Sequence, residues 1–366
     1  DPFTDRKAWS GTIFKIREGI ENAGYEVKWI CSHPNGFLKF LYRIIAKIRY
    51  RYIKINYNRA YCQLSVRSID KKLYEGCDYL FVPCNACLLP YLPKDIPIIF
   101  YTDTTHRLMV GYYWKKKLPL KTIEHGEECE RIGIHRATLN LRSSRWAADS
   151  VVNDYNYNPG KTYVIEFGAN IDDSDLVSNA MKYADGATVN ILFSGVEWER
   201  KGGDVAVETV RLLNEQGVRA LLVIAGIKEL PQQYVGLPYI EYVGFLNKNT
   251  PEQYHRYVQL WKEATLFLLP TKAECAGIVF CEASAYGVPI FTYDTGGTGD
   301  YVIDGVNGYK LAPSANAADF AACIRRNLNT LSLQTLREGG LRLYKEKLSW
   351  SAWSRRFREI MEENGM

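Results

Sequence analysis

Short apolar runs alternate with stretches of helical spacing along most of the chain. In the first half, the helical spacing of Ile13, Ile16 and Ile20 ends at Gly24, and the apolar run at 25–30 predicts a strand. Further strands are predicted at 77–83, 96–103 and 137–143. Because strands and helices take turns, the pattern indicates a parallel, doubly wound α/β sheet.

A second series of the same kind follows an interruption near Lys161, where KTYVIEFGANIDDSD predicts a strand, a glycine turn and an acidic tail. Its strands are predicted at 189–195, 219–226, 239–244, 264–270 and 288–294. With 366 residues, of which 47% are hydrophobic, the chain is long enough for two cores. We therefore predict two doubly wound domains, 1–170 and 171–345, that face each other across a cleft.

The two ends of the sequence carry separate expectations. The opening residues DPFTDRKAWSGT contain no Met and suit a loop that leaves a strand, so we expect the first strand of the N-terminal domain to precede them. At the other end, the spacing of Trp350, Trp353, Phe357 and Ile360 predicts an amphipathic helix. We expect 346–366 to pack back on the N-terminal domain.

Cysteine content and hydropathy limit the compartment. Nine cysteines are spread over the chain, and Cys84 and Cys87 form its one CxxC motif, which predicts reduced thiols in an ordinary turn or, alternatively, a redox pair. No apolar run of about 18 residues and no cleavable leader occurs. We therefore expect a cytoplasmic protein that neither spans a membrane nor is secreted.

The first turn of the second series brings two cations to a glycine-rich helix start. In open parallel sheets, ligands bind beyond the carboxyl ends of the strands, where helix N-termini receive phosphate oxygens. Arg200 and Lys201 directly precede Gly202 and Gly203. Arg can fork onto two oxygens while Lys acts as a point charge, so the turn suits a diphosphate. The alternative is a solvated basic turn.

Two glutamates and a diglycine loop lie at later strand ends. Glu274 and Glu282 flank Gly277, and their carboxylates can accept hydrogen bonds from sugar and ribose hydroxyls. Alternatively, they are an exposed loop acid and a helix-surface charge. The loop YDTGGTGD exposes N–H groups at Gly296 and Gly297, and the turn Ser10 to Thr12 is another possible phosphate nest.

Taken together, FSGVEWERKGGD, ECAGIVFCEASAYGVP and TGGTGDYVIDGVNGYKL resemble, in the same order, the C-terminal half of family 4 glycosyltransferases. The N-terminal half is similar only through SGT near the start and through SRWAADS and FGANID. The resemblance implies a GT-B fold, with two Rossmann-like domains and an interdomain cleft. It also implies metal-independent transfer from a nucleotide-sugar, with retention of configuration and no cofactor.

The resemblance assigns roles residue by residue. Arg200 and Lys201 would hold the donor diphosphate and stabilise the leaving group. Glu282 would bind the ribose, and Glu274 would contact the donor sugar. The further donor-binding positions are Gly11, Gly195, Gly244, Phe245, Ala276, Gly277, Ile278, Gly296 and Gly297.

The chain departs from the family pattern at two places. Many members have an Arg where this chain has Val196, so Arg200 would supply that charge. Members commonly end a strand of the first domain in His, whereas this chain has Asp103, with His106 three residues later. Asp103 is the predicted catalytic residue there, and His106 is either a second candidate or an ordinary helix-start histidine.

The transfer could proceed in two ways. In a front-face reaction the departing phosphate accepts the proton of the acceptor, and this is the favoured reading. A double displacement would need a carboxylate beneath the sugar.

Residues 39–59, KFLYRIIAKIRYRYIKINYNR, combine Lys and Arg with Tyr and Ile and contain no acid. This composition favours an anionic membrane surface as a partner, and WKKKLPLK at 114–121 would add to it. We therefore expect a peripheral location at the inner membrane face and a glycan, polysaccharide or lipid-linked acceptor. The alternative is a core face with outward charges; nucleic acid is not expected, because it would also need an open groove.

Three other functional classes compete with a transferase. A dinucleotide-dependent oxidoreductase is disfavoured, because no strand leads into GxGxxG with an acid about 20 residues later. A nucleotide-sugar epimerase or hydrolase of similar build would turn over the donor without an acceptor. A non-catalytic scaffold that binds sugar nucleotides is disfavoured by the intact set of Arg200, Lys201, Glu274 and Glu282.

Overall fold

A computed structural model describes residues 2–6, 8–50, 58–114, 118–176 and 186–366. Its contacts divide the chain into two compact units. The first unit is Val27–Ile165, and the second unit comprises Asp1–Glu26 and Glu166–Met366. Each unit contains one parallel β-sheet.

Helices and strands alternate in both units, as the sequence pattern predicts. The strands are β1 (Leu80–Pro83), β2 (Ile98–Thr102), β3 (Leu139–Arg142), β4 (Thr162–Val164), β5 (Val189–Ser194), β6 (Ala220–Ala225), β7 (Ile240–Gly244), β8 (Leu266–Leu269), β9 (Ile290–Tyr293) and β10 (Gly308–Leu311). The helices are α1 (Thr12–Asn22), α2 (Gly36–Tyr50), α3 (Arg59–Arg67), α4 (His106–Met109), α5 (Leu120–Arg136), α6 (Arg145–Asn153), α7 (Trp198–Lys201), α8 (Gly203–Glu215), α9 (Pro251–Glu263), α10 (Ile278–Ala285), α11 (Ala317–Asn327), α12 (Thr330–Leu343) and α13 (Trp350–Glu363).

The sheet of the first unit has the strand order β1-β2-β3-β4, and every pair is parallel. Every residue of β2 is buried, as expected for a parallel strand covered on both faces. Polar side chains cap the helices that follow β2 and β3, because Thr105 and Ser144 accept hydrogen bonds from backbone N–H groups of α4 and α6. The carboxyl ends of these strands therefore lead directly into helices.

The sheet of the second unit has the order β10-β9-β8-β5-β6-β7, again with parallel pairs. From β5 the chain continues outward through β6 and β7, and it then returns to β8 on the other side of β5 and continues through β9 and β10. The strand order therefore reverses between β5 and β8. In doubly wound sheets, ligands bind at the carboxyl end of such a switch point.

The predicted strands from residue 77 onward are confirmed, including the strand after Lys161, which is β4. The predicted strand at 25–30 is wrong, because those residues have no regular structure and pair with none of the described strands. An apolar run becomes a strand only where a neighbouring strand receives its hydrogen bonds. Strand β10 was not predicted from the sequence; its Gly308 approaches Ile290 so closely that a Cβ atom would overlap the carbonyl group of Ile290.

The predicted C-terminal helix is present as α13, and it packs on α1. A Cβ atom on Gly19 would lie 2.8 Å from the ring of Trp353, so this glycine permits the close approach of the two helices. Ser354 Oγ donates to the carbonyl of Gly19 at 2.8 Å, and Arg358 Nε donates to that of Ala23 at 2.9 Å. These contacts place 1–26 and the C-terminal helix in one unit, whereas the domain boundaries at 170 and 345 stay predictions.

Two further properties concern the thiols and the helices. None of the nine cysteines forms a disulfide bond with another described residue, and burial raises the pKa of the Cys84 thiol above its usual value. In the described ranges, no helix is both long and apolar enough to cross a membrane.

Candidate active site

The loops that follow β5 and β8 meet at the switch point of the second unit. After β5, Gly195 leads into the short helix α7, whose last two residues are Arg200 and Lys201. After β8, the loop to α10 carries Glu274. Because β5 and β8 are parallel neighbours, both loops leave the same edge of the sheet.

The predicted charged residues of these loops contact one another. Lys201 Nζ forms an ion pair with Glu274 Oε2, and Arg200 Nη1 lies 3.8 Å from the same oxygen. Arg200 also donates to the carbonyl of Ala273 at 2.9 Å and to Glu197 at 2.7 Å. Lys201 is 8% exposed and the Glu274 side chain 13% exposed, which argues against a solvated basic turn and an exposed loop acid.

Backbone hydrogen bonds fix the positions of these loops. The N–H of Lys272 donates to the carbonyl of Arg200 at 2.8 Å, which joins the loops after β5 and β8. The N–H of Gly297 donates to the carbonyl of Glu274 at 2.9 Å, which adds the loop after β9. Three separate predictions, the cationic turn, the first glutamate and the diglycine loop, therefore fall at one place.

Gly195 leaves the space that the Lys201 side chain occupies. A Cβ atom at Gly195 would lie 2.9 Å from Cγ and 3.3 Å from Cδ of Lys201. The glycine therefore sets the path by which the ammonium group reaches Glu274.

The start of α10 supplies backbone donors beside Glu274. Gly277 is the residue before the helix, and no side chain among the described residues caps this end. A Cβ atom on Gly277 would overlap the ring of Phe280 and lie 3.0 Å from Tyr301, so only glycine fits. The N–H groups of a helix start attract anions, which suits the predicted role of Ala276, Gly277 and Ile278.

Glu282, on α10, is a buried carboxylate with two partners. It is 2% exposed, Lys248 Nζ lies 2.6 Å from its Oε1, and the hydroxyl of Tyr257 donates to its Oε2. The reading as a helix-surface charge is therefore wrong. Burial and the nearby negative charge of Glu282 raise the pKa of Tyr257 well above its usual value, so this hydroxyl keeps its proton.

Sequence reasoning assigned no role to Lys248 or Tyr257. Lys248 is the last residue of the turn VGFLNK after β7. Its positive charge at a strand end was a sign in the sequence that it could contact a carboxylate. Tyr257 lies in α9 among aromatic residues at helical spacing, a pattern that indicates core packing and gives no sign of a polar contact.

The remaining predicted donor-binding residues of the second sheet lie at the ends of β7 and β9. Gly244 has φ = 83°, and its carbonyl accepts a hydrogen bond of 2.8 Å from the N–H of Gly226. Phe245, which follows it, is 42% exposed, and Gly296 has φ = 55° in the loop after β9. Their contact with a base or phosphate stays a prediction.

Gly11 lies in a left-handed turn that is tied to the rest of the second unit. Trp9, Ser10 and Gly11 have φ values of 51°, 59° and 92°, which non-glycine residues rarely adopt. Asn170 Nδ2 donates to the carbonyl of Ser10 at 2.8 Å, and Trp350 Nε1 donates to Asn170 Oδ1 at 3.1 Å. The small residues of this turn were predicted from the sequence as a candidate phosphate nest. The contact with the side-chain amide of Asn170 was not predicted.

Asp103 and His106 belong to the first unit and follow β2. Asp103 Oδ1 accepts a hydrogen bond of 3.4 Å from Thr102 Oγ1. His106 is buried, with Nδ1 at 3.2 Å from Glu127 Oε2 and its ring edge-on to Trp114. These contacts favour the reading of His106 as a helix-start histidine, whereas the catalytic role of Asp103 stays a prediction.

The described part of the chain contains no group of three or more His, Cys, Asp or Glu residues arranged to hold a metal ion.

Part of the second unit matches a known family. Residues 185–336 match the family model of glycosyl transferases group 1, a segment that contains every predicted site residue of the second sheet. A D-inositol 3-phosphate glycosyltransferase of Geodermatophilus obscurus is 26% identical over 221 residues, which are 56% of this chain and 47% of that protein. The chain thus spans less than half the length of this relative.

Solved structures identify the fold. Sucrose-phosphate synthase from Thermosynechococcus elongatus superposes with a TM-score of 0.62 at 18% identity, over 86% of this chain and 80% of that one. Anabaena Alr3699/HepE in complex with UDP-glucose gives 0.55 at 15% identity, over 83% and 82%. The chain has the GT-B fold, with two Rossmann-like α/β domains, and its C-terminal part matches the glycosyl transferases group 1 family.

Proposed function

We propose that this chain is a retaining glycosyltransferase that moves a sugar from a nucleotide-diphosphate sugar to an acceptor hydroxyl. The observation that carries the proposal is the convergence of Arg200, Lys201 and Glu274 at the switch point of the second sheet. The family match of this segment supports glycosyl transfer, and the UDP-glucose in the Anabaena structure supports a nucleotide-sugar donor.

Arg200 and Lys201 supply the charge that the reaction needs. As the bond between sugar and diphosphate breaks, negative charge grows on the leaving phosphate, and cations fixed beside it lower the barrier. A bound diphosphate would share Lys201 with Glu274 and receive further hydrogen bonds from the start of α10. Two side-chain cations at this position support transfer without a metal ion or other cofactor.

Glu274 and Glu282 bind hydroxyl groups of the donor. Glu274 lies in the loop beside the cations and accepts hydrogen bonds from the sugar. Glu282 is held by Lys248 and Tyr257, so its carboxylate is already oriented for a ribose.

Retention follows from a front-face reaction. The acceptor oxygen bonds to the anomeric carbon on the side from which the diphosphate leaves, and the leaving phosphate oxygen takes the acceptor proton. A double displacement would instead require a carboxylate beneath the sugar. The pairing of Glu274 with Lys201 supports the front-face route, because it directs that carboxylate toward the cation.

The acceptor is a hydroxyl of a glycan, a polysaccharide or a lipid-linked molecule, and the enzyme acts in the cytoplasm at the inner membrane face. The basic and aromatic stretch 39–59 supports this location, although 51–57 lie outside the described residues, as do 115–117 of the second basic stretch.

Donor binding tests the proposal. We would titrate wild-type protein with UDP-, GDP- and ADP-sugars by calorimetry, in EDTA and in magnesium, and repeat the active nucleotide with Glu282→Gln and Lys201→Gln. One nucleotide class should bind equally with and without metal, and both variants should weaken it. Folded wild type that binds no nucleotide sugar would overturn the proposal.

Product analysis separates transfer from the competing reactions. With an acceptor hydroxyl present, the new linkage should keep the anomeric configuration of the donor, as read by NMR. Donor turnover at an unchanged rate without acceptor would instead identify an epimerase or a hydrolase. Binding without any turnover in the presence of an acceptor panel would favour the scaffold.

A further inference from the structure

Helix α2 presents a wide row of apolar side chains to solvent. Phe37 and Ile48, near its two ends, are 68% and 77% exposed. The exposed apolar residues between them are Leu38, Phe40, Leu41, Ile44 and Ile45. Scattered apolar residues are normal on a protein surface, but a contiguous row of this size marks an interaction site.

The opposite side of α2 attaches the helix to the first unit. Ala46 is 1% exposed, and the ring of Tyr42 lies 6.4 Å from that of Tyr61 in α3. Successive helical residues are separated by about 100°, which puts Tyr42 and Ala46 on one side of α2 and most of the apolar row on the other, with Leu38 and Ile45 at its edge. The row is therefore not a core face, which was the alternative reading of this stretch.

Basic side chains border the apolar row. Arg43 and Lys47 lie along one border of the row and are exposed, and α2 contains no acid. In a helix that lies in the plane of a membrane, the apolar face enters the acyl boundary while Lys and Arg meet anionic headgroups. A protein partner or a second copy of the chain would need acids opposite this border, and α2 offers none to a copy of itself.

We infer that the outward face of α2, Phe37 to Ile48, docks on an anionic lipid surface. The inference deepens the proposed membrane location and rests on it, but it does not depend on the donor site. Apolar insertion and headgroup attraction both contribute, so binding requires both the apolar row and its basic border.

Flotation with vesicles tests each contribution. The full chain, without donor or acceptor, is mixed with phosphatidylcholine vesicles that contain or lack phosphatidylglycerol. An apolar variant carries Phe40→Ser and Ile48→Ser, and a charge variant carries Arg43→Gln and Lys47→Gln. Leu331→Ser is the matched control, because Leu331 in α12 is 78% exposed and Ile48 is 77% exposed. All substituted residues are exposed, so circular dichroism should be unchanged.

Wild type and the control should bind the anionic vesicles and bind the neutral ones weakly. The apolar variant should lose about tenfold or more in affinity, and the charge variant about thirtyfold. The inference is overturned if wild type ignores anionic vesicles or if neither variant weakens binding. It is also overturned if the chain is a dimer that dissociates in the apolar variant and does not float, since the face would then bind a second copy. The flotation assay measures lipid binding and no sugar transfer. Its result can therefore be interpreted even if the enzymatic proposal fails.

Discussion

The ammonium group of Lys248 lies 2.6 Å from Oε1 of Glu282, so a residue after β7 holds a carboxylate on α10. Tyr257, on α9, donates to the other oxygen and lies beneath the ammonium group, with Lys248 Nζ 4.3 Å from its ring centroid. A carboxylate buried to this degree is tolerated because both oxygens are engaged. Three elements thus determine the orientation of the predicted ribose-binding residue.

Replacing Lys248 should destabilise the second unit. Lys248→Met leaves Glu282 buried without its cation, and we expect a loss of about 1 to 3 kcal/mol, below the value for a fully buried pair because Lys248 is partly exposed. The double variant with Glu282→Gln should regain much of this loss, because the uncompensated charge is gone. Urea unfolding of the single and double variants measures the coupling. Additive effects of the two substitutions would contradict the pairing.

Lys201→Gln should weaken donor binding and slow transfer. The substitution removes the cation that pairs with Glu274, and loss of one group that stabilises the leaving phosphate typically costs on the order of 10²-fold in kcat. Lys272→Gln is the matched control: it makes the same charge change in the adjoining loop, where Lys272 is exposed. Kinetics with the active donor would compare the two. Equal losses in both variants would mean that general charge, not the position of Lys201, matters.

Gly195→Ala should act through Lys201. The added methyl would meet Cγ of Lys201 at 2.9 Å and push the ammonium group away from Glu274. We expect a tenfold or greater loss in donor affinity, with a modest stability cost of about 1 to 3 kcal/mol for the overpacking. Gly36→Ala is the control, since a Cβ atom there meets open space. Calorimetry on both variants checks this, and unchanged donor affinity in Gly195→Ala would count against the role of Gly195.

The second unit could be predicted from sequence in more detail than the first. Its strands are continuous apolar runs that end in glycine or charged turns, so strand ends, and with them Arg200, Lys201 and Glu274, could be located. Strand order follows from long-range pairing and was not predicted. The contacts of Glu282 depend on that order and on the packing of α9, which explains why Tyr257 was missed.

The first unit illustrates the opposite case. The run at 25–30, whose last four residues belong to this unit, has the alternation of a strand but pairs with no described strand. The apolar residues of α2 have the spacing of a core helix, but they face solvent. Hydrophobic periodicity is the same for a buried and for an exposed apolar face, so it does not distinguish them. Only the position of the neighbouring α3, visible in the Tyr42 and Tyr61 contact, decides which side is buried.

Glu130 should make the stability of the first unit depend on pH. It lies buried in α5, and burial raises its pKa from 4.5 to about 7, although the nearby Arg142 acts in the opposite direction. The native state then holds this proton more tightly than the unfolded state, so the contribution of Glu130 to the free energy of unfolding should fall as pH rises from about 4.5 to about 7 and stay constant above. Glu130→Gln removes the titrating group, and relative to wild type the variant should gain about 3 kcal/mol between pH 4 and pH 8.

Hydrogen exchange of the α5 amides reports this unit alone, and Glu124→Gln, an exposed acid of the same helix, is the control. Exchange in wild type and in the control should quicken, relative to the intrinsic rate, as pH rises through this window. Glu130→Gln should lose this change and keep only the dependence of the other titrating groups of α5, such as Cys129, whose hydrogen bond with Cys87 lowers its pKa to about 6. Parallel profiles in wild type and Glu130→Gln would assign the pH dependence to another group. A wild-type profile that rises in stability over the same window would mean that the attraction of Arg142 outweighs the cost of burying the carboxylate.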